Sequence, residues 1–324
     1  MKIKCKNCGG QMSFSIKRQQ VVCEHCGSEL YIEPQSHLTY HDTGESIKDF
    51  KVCIGYCKTC NMDIITPSVE YDSTCPYCGD YLKKKEDTIK NIDGIIPFQI
   101  DESQAEEQLV KKLKNRAYAP RNLKKMRIDS SLKKLYISTY NFHAKSFSRY
   151  SGYTERTDSE GHTTRHNFSG SIRLFHDNFI EASSKISNNS GVVESFSSGT
   201  AKDFDIKYLA GFGAEREDIE LATAISKEKR MIDSEVRSSI RNKHGSCTIT
   251  YCSTTIEEIK YARLLEPIYF VKYKYRKKDY LNYMNGFNGE LYGKKPKSVI
   301  KILITIFVPL IVILALVLIF AKWG

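Results

Sequence analysis

The chain has 324 residues, 41% of them hydrophobic, which is enough to bury an ordinary core and excludes a disordered protein. Lys and Arg number 49 against 38 Asp and Glu, a formal charge of +11, which favours anionic partners; eight metal-bound thiolates and two dications would lower it to about +7. The polar start from Met1 to Lys6 is not a signal peptide, so the 11 cysteines are expected in a reducing compartment and not as disulfides.

The first informative feature along the chain is a repeat. Cys5, Cys8, Cys23 and Cys26 recur 52 positions later as Cys57, Cys60, Cys75 and Cys78, each set with 14 residues between its two Cys-x-x-Cys pairs. A Cys-x-x-Cys knuckle delivers two sulfurs to one tetrahedral ion, and two knuckles close the site, so each set is expected to hold one structural Zn²⁺. Gly9, Gly27 and Gly79 follow the second cysteine of a pair, and Asn61 takes that place in the fourth; these are the residue types that accept a left-handed turn. Strand-like stretches lie inside each copy, at Met12 to Val22 and Ile64 to Ser73. The expectation is zinc ribbon 1 over residues 1–34 and zinc ribbon 2 over 52–84, joined by the polar segment Gln35 to Lys51.

Residues 83–93 turn charged and read as a linker. Ser103 with Glu106 has capping-box spacing, and Leu109, Val110 and Leu113 give one apolar side of a helix over about 102–116. Leu132 to Phe147 and Phe168 to Ile180 read as strands around a Gly/Ser/Thr-rich hairpin loop at 151–164. Asp218 is placed to cap a long amphipathic helix over about 218–242, with Ile219, Ala222, Ile225, Ile232, Val236 and Ile240 on one face. Strand-like runs follow at 247–253, 267–275 and 280–285, with turns at Asn285-Gly286 and Asn288-Gly289. Residues 95–294 are therefore expected to form an α+β domain with an antiparallel sheet. Cys247 and Cys252 read as small apolar residues.

Ile302 to Ala321 carries no charge and is long enough to span about 30 Å of hydrocarbon as a helix, which predicts a transmembrane segment over 299–321. Lys294, Lys295, Lys297 and Lys301 precede it and only Lys322 follows, so the N-terminal bulk is expected on the cytoplasmic side, with Trp323 as an interfacial anchor and anionic lipid beside the lysines. The fold class expected is thus multidomain: two zinc ribbons, an α+β domain and one C-terminal membrane helix.

All-cysteine coordination leaves no open position for a catalytic water, and phosphate loops, dinucleotide fingerprints, His-Glu-x-x-His and Gly-x-Ser-x-Gly are absent from the sequence; no enzymatic activity is expected. His25, between Cys23 and Cys26, reads as a spacer, and His162 and His166 as solvated. Basic runs at Lys83 to Lys85, Lys111 to Arg127 and Lys272 to Lys278, the last interleaved with Tyr273 and Tyr275, leave nucleic acid as an alternative partner.

The Cys-x-x-Cys-Gly ribbons, Ile96-Pro97-Phe98, Tyr208-Leu209-Ala210-Gly211-Phe212 and Met284-Asn285-Gly286-Phe287-Asn288-Gly289-Glu290 before an apolar tail occur in that order. In this the chain resembles a family of bacterial membrane-anchored TFIIB-type zinc-ribbon proteins, often labelled primosomal-helicase-like. The resemblance implies a non-enzymatic protein, with some relatives linked to phage-shock-type membrane stress through recruitment of a peripheral membrane protein. The expected function is that of a membrane-anchored adaptor that recruits a protein partner, with a membrane-tethered nucleic-acid binder as the alternative.

Overall fold

The computed structural model describes residues 3–33, 38–67, 73–120, 132–184, 191–275 and 277–323, with side chains in the last helix described as far as Leu314. Its elements in chain order are β1 (Met12–Ser15), β2 (Gln20–Cys23), β3 (Glu29–Leu30), β4 (His41–Asp42), β5 (Asp49–Cys57), β6 (Met62–Thr66), β7 (Lys83–Lys90), β8 (Gly94–Ile95), α1 (Glu102–Lys114), β9 (Lys133–Thr157), β10 (Thr163–Glu181), β11 (Lys202–Asp203), β12 (Ala214–Glu215), α2 (Leu221–His244), β13 (Thr248–Tyr275), β14 (Lys278–Asn285), β15 (Leu291–Gly293) and α3 (Val299–Trp323).

β1, β2 and β3 form a small sheet of their own. All the other strands belong to one 12-stranded sheet with the path β11-β8-β13-β9-β12-β6-β5-β7; β10 adds to β9, β14 and β4 add to β13, and β15 adds to β14. This corrects the expected fold class. Strand dominates, and the second cysteine repeat is not a free-standing ribbon ahead of an α+β domain. Its β6 pairs with β12 through Ala214 and Ile65, so the repeat is built into the main sheet.

Three further differences concern strand pairing. The charged 83–90 segment is an edge strand, not a linker, because its backbone pairs with β5 from Lys83↔Tyr56 to Lys90↔Asp49; backbone pairing ignores side-chain charge, and a lysine-rich edge resists pairing with other chains. The loop expected at 151–164 shrinks to a turn at 158–162, with β9 and β10 in register from Thr139↔Glu181 to Thr157↔Thr163. The runs expected at 247–253 and 267–275 fuse into β13, whose 28 residues accommodate register shifts at Ile249/Tyr251 and Ile256/Glu258.

Helix α1 is capped by Asp101, not Ser103: the Asp101 carboxylate accepts from the Gln104 amide at 2.9 Å, and the Gln104 side chain accepts from the Asp101 amide at 3.0 Å. Asp218 does not cap α2 and instead accepts from the Ser184 amide and hydroxyl. The apolar face of α2 forms as expected in its C-terminal half, where Ile232, Val236 and Ile240 are fully buried against Ala144 and Tyr150 of β9, but Ile219 lies ahead of the helix and Ala222 is exposed, with Ala224 buried instead. Phe98 centres the core below, 5.0 Å from Tyr136, 5.2 Å from Phe212 and 5.1 Å from Tyr269 between ring centroids.

The membrane helix expected over 299–321, and with it a single-pass membrane location with a cytoplasmic bulk, does not stand: among the described residues no helix is long and apolar enough to cross a membrane. The side chain of the expected anchor Trp323 lies outside the described residues, and so do residues 121–127 of the basic run and 35–37 of the expected connector.

Candidate metal centres

Each cysteine repeat closes on itself. The four sulfurs of Cys5, Cys8, Cys23 and Cys26, and likewise those of Cys57, Cys60, Cys75 and Cys78, lie within 4.8 Å of one another. Cys5 to Cys26 and Cys8 to Cys23 are 3.5 Å apart, Cys57 to Cys78 is 3.5 Å, and Cys60 to Cys75 is 3.9 Å. A tetrahedral ion with metal–sulfur bonds of about 2.3 Å has sulfur–sulfur edges of about 3.8 Å. All eight cysteines expected to ligate are brought together, and Cys53, Cys247 and Cys252 lie outside both groups.

The backbone explains the geometry. In three of the pairs the turn after the cysteines is closed by an amide returning to the first cysteine's carbonyl: Gly9 to Cys5, Gly27 to Cys23 and Gly79 to Cys75, each at 2.9 Å. The residue at that place is left-handed in all four, with φ of 71° at Gly9, 74° at Gly27, 88° at Gly79 and 53° at Asn61. The Gly10 amide then points at Cys8 Sγ, 3.4 Å away.

The thiols split by environment. The Ser28 hydroxyl and amide lower Cys26 to about 6, and the Asp80 amide lowers Cys78 to about 7. The Asn7 and Cys8 amides lower Cys5. The Gly10 amide pulls Cys8 down, but the neighbouring Cys26 and Cys23 sulfurs outweigh it and push it up to about 12. Burial, then adjacent sulfur, raises Cys60, and burial raises Cys75. Four sulfurs at this spacing cannot all ionise beside one another without a cation, and a bound dication supplies the missing charge.

Both centres are locked to the body of the protein. Phe14 donates its amide to Ala210 O at 2.9 Å and packs on Tyr208, with centroids 5.3 Å apart; Gln19 donates to Phe98 O at 2.8 Å. In the second repeat Tyr77, between Cys75 and Cys78, donates to Glu215 at 2.8 Å and meets the Phe270 ring edge-on at 4.9 Å. A groove of about 490 Å³ runs between the repeats, walled by Met12 and Gln11 on one side and Pro67 and Leu82 on the other, with Gly211 and Phe212 in its floor. The sequence showed Tyr208 to Phe212 only as a recognisable stretch; its place between two cysteine repeats, each more than a hundred residues upstream, has no sequence signal.

His25 is exposed, as expected of a spacer. His162 sits in the 158–162 turn beside Asp158, and His166 is exposed on β10. A Ser146–His176–Glu235 chain does form: Ser146 Oγ lies 2.8 Å from His176 Nε2, and His176 Nδ1 meets Glu235. Ser146 is 1% exposed and His176 5%, so this chain ties α2 to the sheet and offers substrate no nucleophile.

No family profile and no solved structure matches the chain. It is 25% identical over 314 residues to the uncharacterized protein YdjG of Bacillus subtilis (strain 168), an alignment covering 91% of this chain and 90% of that protein.

Proposed function

We propose that the protein is a non-enzymatic adaptor in which two structural zinc ions hold the walls of a groove that receives a segment of a protein partner. The observation that carries this reading is the groove of about 490 Å³ bounded by both cysteine repeats and floored by Gly211 and Phe212. Zinc is the metal favoured by four thiolates in a tetrahedral set, and four protein ligands leave it no open position for a reacting water. The metals then act through stability and shape. The test is affinity purification of the tagged full chain with nuclease treatment in parallel. A stoichiometric protein that survives nuclease and is lost with Cys5→Ser or Cys57→Ser supports the adaptor; a partner set unchanged by both substitutions ends it.

One observation favours nucleic acid as a second reading. On the face of β9 and β10 away from α2, Arg149 and Arg173 lie over the Phe147 ring at 5.8 and 5.1 Å, and Arg165 over Tyr153 at 4.6 Å. Rings and guanidinium planes can stack bases. Two of these arginines are already engaged, Arg165 with Glu155 at 2.8 Å and Arg173 with Glu257 at 3.0 Å, which weakens the attraction for phosphate and puts this reading second. Retention of single-stranded RNA that falls steeply with salt, and is lost in Arg149→Ala with Phe147→Ala, would promote it.

A further inference from the structure

We infer that the recess between the C-terminal turn of α1 and the β14–β15 turn binds a phosphate group. The recess has a volume of about 600 Å³ and is lined by Lys111, Lys112 and Arg116 from one side and by Lys295 and Glu290 from the other.

Four cations from segments some 180 residues apart thus converge on one space. None of the four pairs with a carboxylate among the described residues, and the one acid at the rim, Glu290, already accepts from the Tyr292 hydroxyl. Two of the cations are held in place by backbone: Arg116 Nη2 donates to Pro296 O at 3.0 Å and Lys295 Nζ to Leu291 O at 2.6 Å. Arg116 Nε is buried with no partner, and a buried donor without an acceptor costs about 1 to 3 kcal/mol. Burial, and then the Arg116 and Lys112 charges, lower the Lys295 ammonium; burial lowers the Arg116 guanidinium. The site is electrostatically overloaded, and an anion relieves it.

A plainer account covers part of the cluster, since Lys111, Lys112 and Lys114 stand in the last turn of α1, where cations suit the helix dipole. It does not account for Lys295, which comes from another element, nor for the unpartnered Arg116 Nε. The helix end itself has the wrong polarity for an anion, so binding depends on the side chains. A guanidinium fork beside compact ammoniums fits the several oxygens of a phosphate ester better than one carboxylate. The wall opposite α1 turns at Gly289, whose φ of 74° is left-handed, a conformation that glycine adopts without the cost a side chain would bring.

Phosphate chemistry of this kind is presented by soluble phosphate esters and by lipid headgroups, and the experiment separates them. The zinc-loaded full chain is titrated calorimetrically with inorganic phosphate, and then with phosphatidylcholine vesicles with and without phosphatidic acid. Saturable binding is expected, weakened about tenfold by Lys112→Gln and again by Lys295→Gln, each loss matching one charge-assisted hydrogen bond. Tighter binding to phosphatidic acid vesicles than to free phosphate identifies a headgroup as the source; binding of phosphate with vesicles ignored identifies a soluble ester. Lys112 is half-exposed, so its substitution tests the site without touching the fold, with thermal melting as the control. Absence of saturable binding to either probe, or binding unchanged in both variants, overturns the proposal.

Discussion

At the residue scale the cysteines and one buried carboxylate make the clearest predictions. Cys5→Ser and Cys57→Ser each remove one of four sulfurs, so native mass spectrometry should show zinc content falling from two ions per chain to one in either variant. Retention of both ions would mean that the sites do not need four thiolates. Glu228 is fully buried against β10, accepting from Asn178 at 3.2 Å with its other oxygen unpartnered. Burial, opposed by the Asn178 bond and reinforced by Glu235, raises its pKa to about 7 from 4.5. The folded state therefore holds a proton that the unfolded chain releases. The contribution of Glu228 to stability is greatest below about 4.5 and declines as pH rises toward 7, by roughly 3 kcal/mol in all. Urea denaturation at pH 5 and pH 8 should show a shallower decline in Glu228→Gln; an identical pH slope in the variant would refute the assignment.

At the element scale the long β9–β10–β13 arm depends on a close approach at one point. A Cβ on Gly152 would sit 2.2 Å from the Thr248 carbonyl and 2.7 Å from the Phe168 ring, so Gly152→Ala must push β13 or the ring away. The expected cost is about 1 to 3 kcal/mol, read as a lower denaturation midpoint, with faster amide exchange confined to the arm's distal end. An unchanged midpoint would mean that the strands separate there at no cost. α2 is what makes such an arm stable. Its fully buried Ile232, Val236 and Ile240 cover one face, while the opposite face keeps its rings and charges in solvent.

At the scale of the whole molecule the two metal centres differ although their sequences repeat. The first repeat keeps its own three-stranded sheet and meets the body through contacts such as Phe14 on Tyr208 and Gln19 on Phe98. The second shares β5, β6 and β7 with the main sheet. Stripping zinc with a strong chelator should therefore expose the amides of residues 12–30 to rapid hydrogen exchange while β5 and β6 keep much of their protection. Equal loss in both repeats would show that sheet pairing does not hold the second one together. Structural zinc typically contributes most of the folding energy of an isolated ribbon, which is why the asymmetry should be large.

The two cysteine quartets, the left-handed residues after all four knuckles, the C-terminal half of the apolar face of α2 and the turns around Asn285 and Asn288 were legible in the sequence. Each depends on local spacing or on the φ preference of one residue. The long register of β9 with β13, the pairing of β7 with β5 and the docking of β6 on β12 were not, because backbone pairing between distant segments leaves little trace in composition. The apolar run after Lys301 shows the limit most clearly, since hydropathy alone spoke for a membrane crossing that no described helix provides. What the sequence by itself determined is the chemistry of two four-thiolate sites. Which surfaces those sites brace, and where Lys112, Arg116 and Lys295 converge, was decided by tertiary structure, because only folding brings residues 112 and 295 to the same recess.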